Sequence, residues 1–321
     1  MKRIFVSFVF LKIVLLVGAE DAPDDDVIDL SHLGARMYGQ PDAEVGEHLS
    51  SLVKAENLTM NPEEVGSYAE GDILLPRPLG RNGILAESYR WPGGVVPFEI
   101  RGNFNAKEMS LIEAAMAAYH KDTCIKFVPR SGNDKDYISI QNGASGCWSS
   151  VGRVGDQQTV NLQSPGCVTK IGTVMHELMH AIGFLHEQNR EERDDHVTIQ
   201  FSNVQRGTEN NFEKAPKSTT SGFGVPYDFG SIMHYSGNAF SINGQPTIIP
   251  KHKIKDTMGQ REAFSSSDIQ KIWKMYNCKA TASAGGHKPN FASAIETIPN
   301  AFGEILNAIF PSGDAEEMHK S

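Results

Sequence analysis

An α+β architecture follows from three observations on this 321-residue chain. Short runs of β-branched and aromatic residues flank a long stretch of helical period after residue 94, and a second helical stretch closes the region near residue 276, with no internal repeat. All four cysteines fall within that region. Hydrophobic residues make up 40% of the chain and charged residues 21%, enough apolar surface for a core, which excludes wholesale disorder and collagen-like repeats. A net charge of −9 argues against nucleic acid as the main partner.

At the amino terminus, Lys2 and Arg3, the apolar run Ile4 to Leu16 and the small residues Val17-Gly18-Ala19 make the three parts of a secretory signal. Residues 1–19 are therefore expected to be removed after Ala19 and the protein to be secreted. The apolar run is too short to cross a bilayer and is broken by Lys12, so no transmembrane segment is expected. In an oxidising compartment, Cys124, Cys147, Cys167 and Cys278 imply two disulfides with three possible pairings. No C-x-x-C spacing exists, which argues against a cysteine zinc site.

Charge divides the chain. From Glu20 to Arg81, 14 acidic residues face four basic ones, a net of −10, whereas everything after Arg81 sums to about −2. An acidic, cysteine-free segment ahead of a nearly neutral, cysteine-bearing one reads as a propeptide (20–81) before a mature domain (82–278), with Asp21 to Asp29 a solvated acidic stretch. Asn57-Leu58-Thr59 is the one glycosylation sequon, making Asn57 the candidate acceptor.

Within the mature region, Val95 to Ile100 predicts a strand. Asn105 caps a helix that carries Met109, Ile112, Met116 and Tyr119 at three- and four-residue spacing, with Glu108 set for a capping box. Ile125 to Val128, Tyr137 to Ile140 and Thr159 to Leu162 predict short strands. Ser265 caps a last helix containing Ile269, Ile272, Trp273 and Tyr276. In the tail, residues 279–321, Phe291, Ile295, Ile298, Phe302, Ile305 and Ile309 follow helical spacing that Pro299 kinks. Burial of that stripe against the domain is expected, with membrane or partner binding as the second reading.

The chemistry is concentrated in Thr173 to His186, TVMHELMHAIGFLH. His176 and His180 are four residues apart, so a helix turns both imidazoles to one side, and Glu177 can reach a water on a metal held there. Continuing the helix to His186 would leave that side chain about 120° off the face and about 9 Å along the axis. It can share the ion only if the helix stops, and Gly183 is set to stop it. Three histidines with an open fourth position mark a catalytic zinc rather than a structural one. Met175, Leu178, Met179 and Ile182 make the helix apolar, so a surface helix with scattered histidines would bury them without partners.

This glycine and third histidine, followed by a Met-turn, are the metzincin signature, and within that clan the chain resembles the astacin family. His186-Glu187-Gln188-Asn189-Arg190 is similar to the family's H-E-Q-x-R continuation and Ser231-Ile232-Met233-His234-Tyr235 to its Met-turn. Trp91-Pro92 to Val96-Pro97 and the four cysteines also fit, so the likeness runs from Asn82 to Cys278. Asn189 and Glu192 depart mildly, standing where serine and aspartate are usual.

The resemblance implies a metzincin-type domain with a twisted sheet and long helices above the cleft and an irregular lower half. It implies disulfides Cys124–Cys278 and Cys147–Cys167, and one zinc per chain on His176, His180 and His186, with Met233 beneath them. The implied activity is endopeptidase action on protein or peptide substrates, with Glu177 as general base and Tyr235 as an extra ligand that swings away to stabilise the oxyanion. His234 is expected to be structural and His196 and His252 to be surface residues. Absence of cysteine-rich modules after Cys278 suggests a minimal form. A secreted, inactive binding protein on the same fold is the competing class, but it should show a broken ligand or a missing glutamate, and none is broken here. A propeptide cysteine latch is excluded, since all four cysteines follow Arg81.

Three further expectations come from the resemblance. Glu70-Gly71-Asp72 resembles the aspartate switch, in which Asp72 would ligate zinc in the zymogen; Ala69 stands where an aromatic is usual, and the adjacent Tyr68 is the candidate substitute. Arg81-Asn82 lies where the family's propeptide ends, with a trypsin-like enzyme as the activating partner and Glu187 as the partner of the new amino terminus. Gly259-Gln260-Arg261 resembles the pocket segment that receives an acidic residue after the scissile bond, making Arg261 the candidate cation; the competing reading is a surface arginine paired with Glu262.

Overall fold

The structure, a computed structural model, describes residues 27–56, 58, 60–76, 87–215 and 222–279. The signal, Asn57, the Arg81-Asn82 bond and the tail from residue 280 lie outside the described residues.

In chain order the elements are β1 (Val27–Asp29), β2 (Tyr38–Gly39), α1 (Ala43–Lys54), β3 (Leu75–Pro76), β4 (Glu87–Tyr89), β5 (Val95–Ile100), α2 (Ala106–Asp122), β6 (Lys126–Pro129), β7 (Tyr137–Gln141), β8 (Cys147–Ser149), β9 (Gln157–Leu162), α3 (Ile171–Ala181), β10 (Val197–Ile199), β11 (Ile248–Pro250) and α4 (Ser266–Met275). This is the expected α+β fold. A five-stranded sheet runs β6-β5-β7-β9-β8, parallel throughout except for β8, which is antiparallel to β9.

The helix α2 forms where its sequence caps it: the Asn105 side chain accepts from the amides of Lys107 and Glu108, and Glu108 reaches back to the Asn105 amide at 2.9 Å. Its buried stripe, Ile112, Ala115, Met116 and Tyr119, faces α3 and the sheet. Tyr119 meets Phe127 and Phe264 edge-on, and its hydroxyl donates to Met175 O at 2.7 Å, so the phenol is satisfied inside the core. Full burial of each such side chain contributes about 1.5–3 kcal/mol.

Strand β6 begins one residue later than the apolar run predicts, because the Ile125 amide is taken by Thr123 Oγ1 in the turn that closes α2. Strand β9 begins two residues earlier, on glutamines: Gln158 is buried and its amide closes on Gly152 O and the Val154 amide. Residues 27–29 form β1, paired antiparallel with β4, and residues 21–26 of the expected acidic stretch lie outside the described residues.

Below the sheet the chain is irregular, with β10 and β11 as its two-stranded element and a separate apolar cluster of Val197, Val204, Phe212, Tyr227, Tyr235, Ala239, Phe240 and Ile248. The disulfides pair Cys124 with Cys278 and Cys147 with Cys167. Closing loops of 154 and 20 residues removes unfolded-chain entropy equivalent to about 5 and about 3 kcal/mol.

The acidic segment is folded onto this domain. Asp42 caps α1 by accepting from the Glu44 amide. Gly46 lets the helix approach residues 144–145, where a Cβ would come within 2.1 Å of Ala144 O, and Gln163 Nε2 reaches Gly46 O at 2.9 Å. Residues 72–74 then run along β8 in parallel, with the Ser149 amide donating to Asp72 O and the Leu74 amide to Ser149 O. An edge strand that would otherwise present unpaired amides is thereby covered.

Candidate metal centre

Helix α3 ends as the sequence demands. Gly183 has φ +109°, its amide bonds His180 O at 2.7 Å, and the Phe184 amide bonds Met179 O at 3.1 Å. Both bonds of a Schellman cap are present, so the chain leaves the helix sharply and returns His186 to the face that bears His176 and His180. The three rings lie with centroids 4.7–5.1 Å apart.

Each imidazole is oriented from behind. Nδ1 of His176 donates to Ile232 O at 2.8 Å, that of His180 to Phe184 O at 2.7 Å, and that of His186 to Glu70 Oε2 at 2.8 Å. With Nδ1 committed as donor, each ring turns a bare Nε2 lone pair inward. The inward group includes Asp72, whose carboxylate lies 3.0 Å from His176 Nε2, 3.3 Å from His180 Nε2 and 3.3 Å from His186 Nε2. All four side chains are buried, and their ligand atoms lie within 4.8 Å of one another.

A divalent cation fits this group. His180 Nε2 and Asp72 Oδ1 are buried with no hydrogen-bond partner, facing each other 3.3 Å apart, and two acceptors in such contact repel unless a positive charge lies between them. Nitrogen and carboxylate donors in a four-member set suit zinc. The electrostatics ask for the same charge. Burial disfavours the imidazolium of His186, yet Asp72 and Glu70 outweigh it and raise its pKa to about 9; at His176 burial prevails and lowers the pKa to about 4.

Asp72 reaches the centre through a tight turn. Glu70 and Gly71 have φ +49° and +88°, the Gly71 amide bonds Tyr68 O, and the Ile73 amide bonds Ala69 O. A Cβ on Gly71 would come within 2.8 Å of Phe240 Cζ, so this position requires glycine twice over. Ala69 enters the main core, whereas Tyr68 points the other way to Val45, Leu74 and Trp148. Tyr68 therefore does not stand in for an aromatic at position 69.

Glu177 is wholly buried beside His176, and neither of its oxygens has a partner. Burial, then Asp72 and Glu63, push its carboxyl well above the usual range. The Tyr235 hydroxyl donates to Glu70 O, and its ring lies 4.5 Å from that of His186.

Met233 is buried in the core with α3. Its turn is held by Asp268 of α4, which accepts from Ser231 Oγ at 2.6 Å and from the Ile232 amide at 2.9 Å. Sequence reading missed Asp268, although its place at the third helical residue after Ser265 was a signal. His234 is structural: burial lowers its pKa to about 4, and it lies between Tyr227 Oη and Tyr235 O. His252 is exposed, but His196 is half-buried and stacked on Tyr227 at 4.6 Å. Glu187 is paired with Arg190 and Lys271.

Arg261 is not a surface residue. It is 1% exposed, and its Nε pairs with Glu63 at 2.5 Å rather than with Glu262. Glu63 was invisible in the sequence as one acidic residue among many.

Three imidazoles and a carboxylate with lone pairs converging, and an unpartnered glutamate alongside, define a metallopeptidase of the three-histidine type. The chain belongs to the astacin peptidase family, whose family model matches residues 84–277; the family is one of zinc peptidases. The chain is 43% identical over 224 residues to zinc metalloproteinase nas-4 of Caenorhabditis elegans, covering 67% of this chain and 70% of that protein. It is 42% identical over 217 residues to human meprin A subunit beta, covering 67% of this chain and 30% of that protein. The match spans 35% of nas-15 and 56% of nas-7, about half or less of those relatives. Among solved structures, high choriolytic enzyme 1, a hatching enzyme zinc-protease from Oryzias latipes, aligns with a TM-score of 0.55 and 38% identity over 60% of this chain and 96% of that one. Among the described residues no helix is long and apolar enough to cross a membrane.

Proposed function

We propose that the protein is a secreted zinc endopeptidase made as a zymogen. Its layout is a signal (1–19), a prosegment (20–81), a catalytic domain (82–278) and a tail (279–321), with one zinc per chain and Asn57 as the glycosylation site. The single observation that carries the reading is the carboxylate of Asp72, from the acidic segment, set against the three histidines of the family domain.

Zinc on His176, His180 and His186 supplies the Lewis acidity that activates water and polarises a scissile carbonyl. Glu177, with both oxygens free of partners, takes the proton of the attacking water and returns it to the leaving amine. Tyr235 gives up its bond to Glu70 O when the prosegment leaves, and its hydroxyl then donates to the developing oxyanion. Until that moment Asp72 would hold the zinc together with the three histidines. Release follows cleavage at Arg81-Asn82 by a trypsin-like enzyme, and Arg261 afterwards receives an acidic side chain following the scissile bond.

The test is Asp72→Ala in the uncut chain, loaded with zinc. Chelator-sensitive casein hydrolysis well above the uncut wild type is expected, with zinc stoichiometry near one. An uncut variant as silent as wild type would remove Asp72 from the latch.

A further inference from the structure

Residues 61–64 are as firmly held as the turn that carries Asp72, and the proposed latch does not use them. Asn61 Nδ2 bonds Gly259 O at 3.0 Å. Glu64 accepts from the Ser236 amide and from Ser236 Oγ, each at 2.6 Å. Between these two anchors lies Glu63, 1% exposed, with Oε1 2.5 Å from Arg261 Nε. Both anchors belong to the walls around Arg261: Gly259 packs on Ser236, where a Cβ would come within 2.6 Å of Ser236 Cα. The guanidinium is fixed by Nη1 bonds to His234 O and Gln260 O, and the Arg261 backbone receives the amide of Gly172 at the start of α3. Arg261 holds the carbonyl of His234, and the ring of the next residue, Tyr235, lies 4.5 Å from that of His186, so this pocket borders the metal centre.

We propose that Glu63 is the prosegment's own occupant of the Arg261 pocket, standing where the acidic side chain of a substrate stands. The inference rests on reading Arg261 as the residue that meets that side chain, and it adds a second, metal-independent hold on the uncut chain. The contact is one-pronged. Arg261 Nη2 and Glu63 Oε2 are both buried with no partner, whereas an arginine can give a carboxylate two parallel bonds. A substrate carboxylate that takes both therefore has an advantage over Glu63, which suits an occupant that must leave. Once the prosegment is gone, Arg261 is a cation without its anion, and this is the state that selects an acidic residue.

Two measurements on the full-length, uncut, zinc-loaded chain test this. Glu63→Gln lowers the melting temperature by about 5 °C or more, and by less than half as much in an Arg261→Gln background. Arg261→Met is the second variant if Arg261→Gln does not fold. Equal losses with and without Arg261 overturn the proposal.

The second measurement adds Glu63→Gln to the uncut Asp72→Ala chain and uses two peptides that differ only in Glu or Gln after the scissile bond. KM for the Glu peptide falls about tenfold and that for the Gln peptide falls less, since only the former competes for the guanidinium. An unchanged KM ratio overturns the proposal. Cut wild-type enzyme separates the two failures: indifference to Glu after the bond overturns the reading of Arg261 and the mimicry with it, even where the melting data retain the ion pair.

Discussion

Replacing Asp268 by alanine tests whether α4 holds the Met-turn. The carboxylate is wholly buried and accepts from Ser231 Oγ at 2.6 Å, the Ile232 amide at 2.9 Å and the Ser265 amide at 3.0 Å. Alanine leaves two backbone donors inside the protein without acceptors, at about 1–3 kcal/mol each. The expected loss is therefore about 4 kcal/mol, which for a domain of this size lowers the melting temperature by roughly 8–16 °C. A second consequence follows from connectivity. Ile232 O accepts from His176 Nδ1, so a displaced turn also frees a zinc-facing ring, and metal affinity should fall about 10–100-fold. Asp268→Asn keeps one acceptor oxygen and should lose about half as much stability. The assay is thermal and denaturant unfolding at fixed free zinc, with a competitive chelator titration for affinity. A loss below about 1 kcal/mol with unchanged zinc affinity would refute the assignment of Asp268 as the anchor.

Three other outcomes are expected. Glu177→Gln should retain its zinc by elemental analysis and lose about 10²–10⁴-fold in turnover, whereas His186→Ala should weaken zinc binding itself; full activity in zinc-loaded Glu177→Gln would sink the general-base role. Gly46→Ala forces a Cβ toward Ala144 O and should displace α1 at about 1–3 kcal/mol, read as faster limited proteolysis of the uncut chain with no effect on the cut enzyme. Amino-terminal sequencing of the active form should begin Asn82-Gly83-Ile84, and a start beyond Trp91 would contradict the activation site.

What the sequence made legible was local. The H-E-x-x-H spacing, the Gly183 cap and the Asn105 and Ser265 caps each depend on residues within one or two turns, and each appears in the structure at the expected residue. The short strands were harder. Strand β8 has three residues and gains its identity from pairing with β9 on one edge, while residues 72–74 run along the other. Strands β10 and β11 exist only because residues about fifty positions apart meet. A period-2 pattern needs more residues than these strands possess.

The partners of the site were least legible, and for one physical reason. Glu63 and Arg261 are 198 residues apart, and Asp268 lies 37 from Ser231. An acidic residue in a strongly acidic segment carries no mark of whether water or an arginine will solvate it. Composition averages over the charges of the prosegment, whereas burial selects a few of them. Glu63, Glu64, Glu70 and Asp72 are all nearly inaccessible, within one stretch that meets the metal centre, the Tyr235 hydroxyl and the Arg261 pocket in turn. Burying four carboxylates in ten residues is costly unless each finds a cation or a set of donors. Glu63 finds Arg261, Glu64 the amide and hydroxyl of Ser236, and Glu70 the Nδ1 of His186, while Asp72 faces the three inward nitrogens that would hold the cation with it. The acidity of the segment thus has two sources, a solvated face and a complement to the cleft, and only the folded chain separates them.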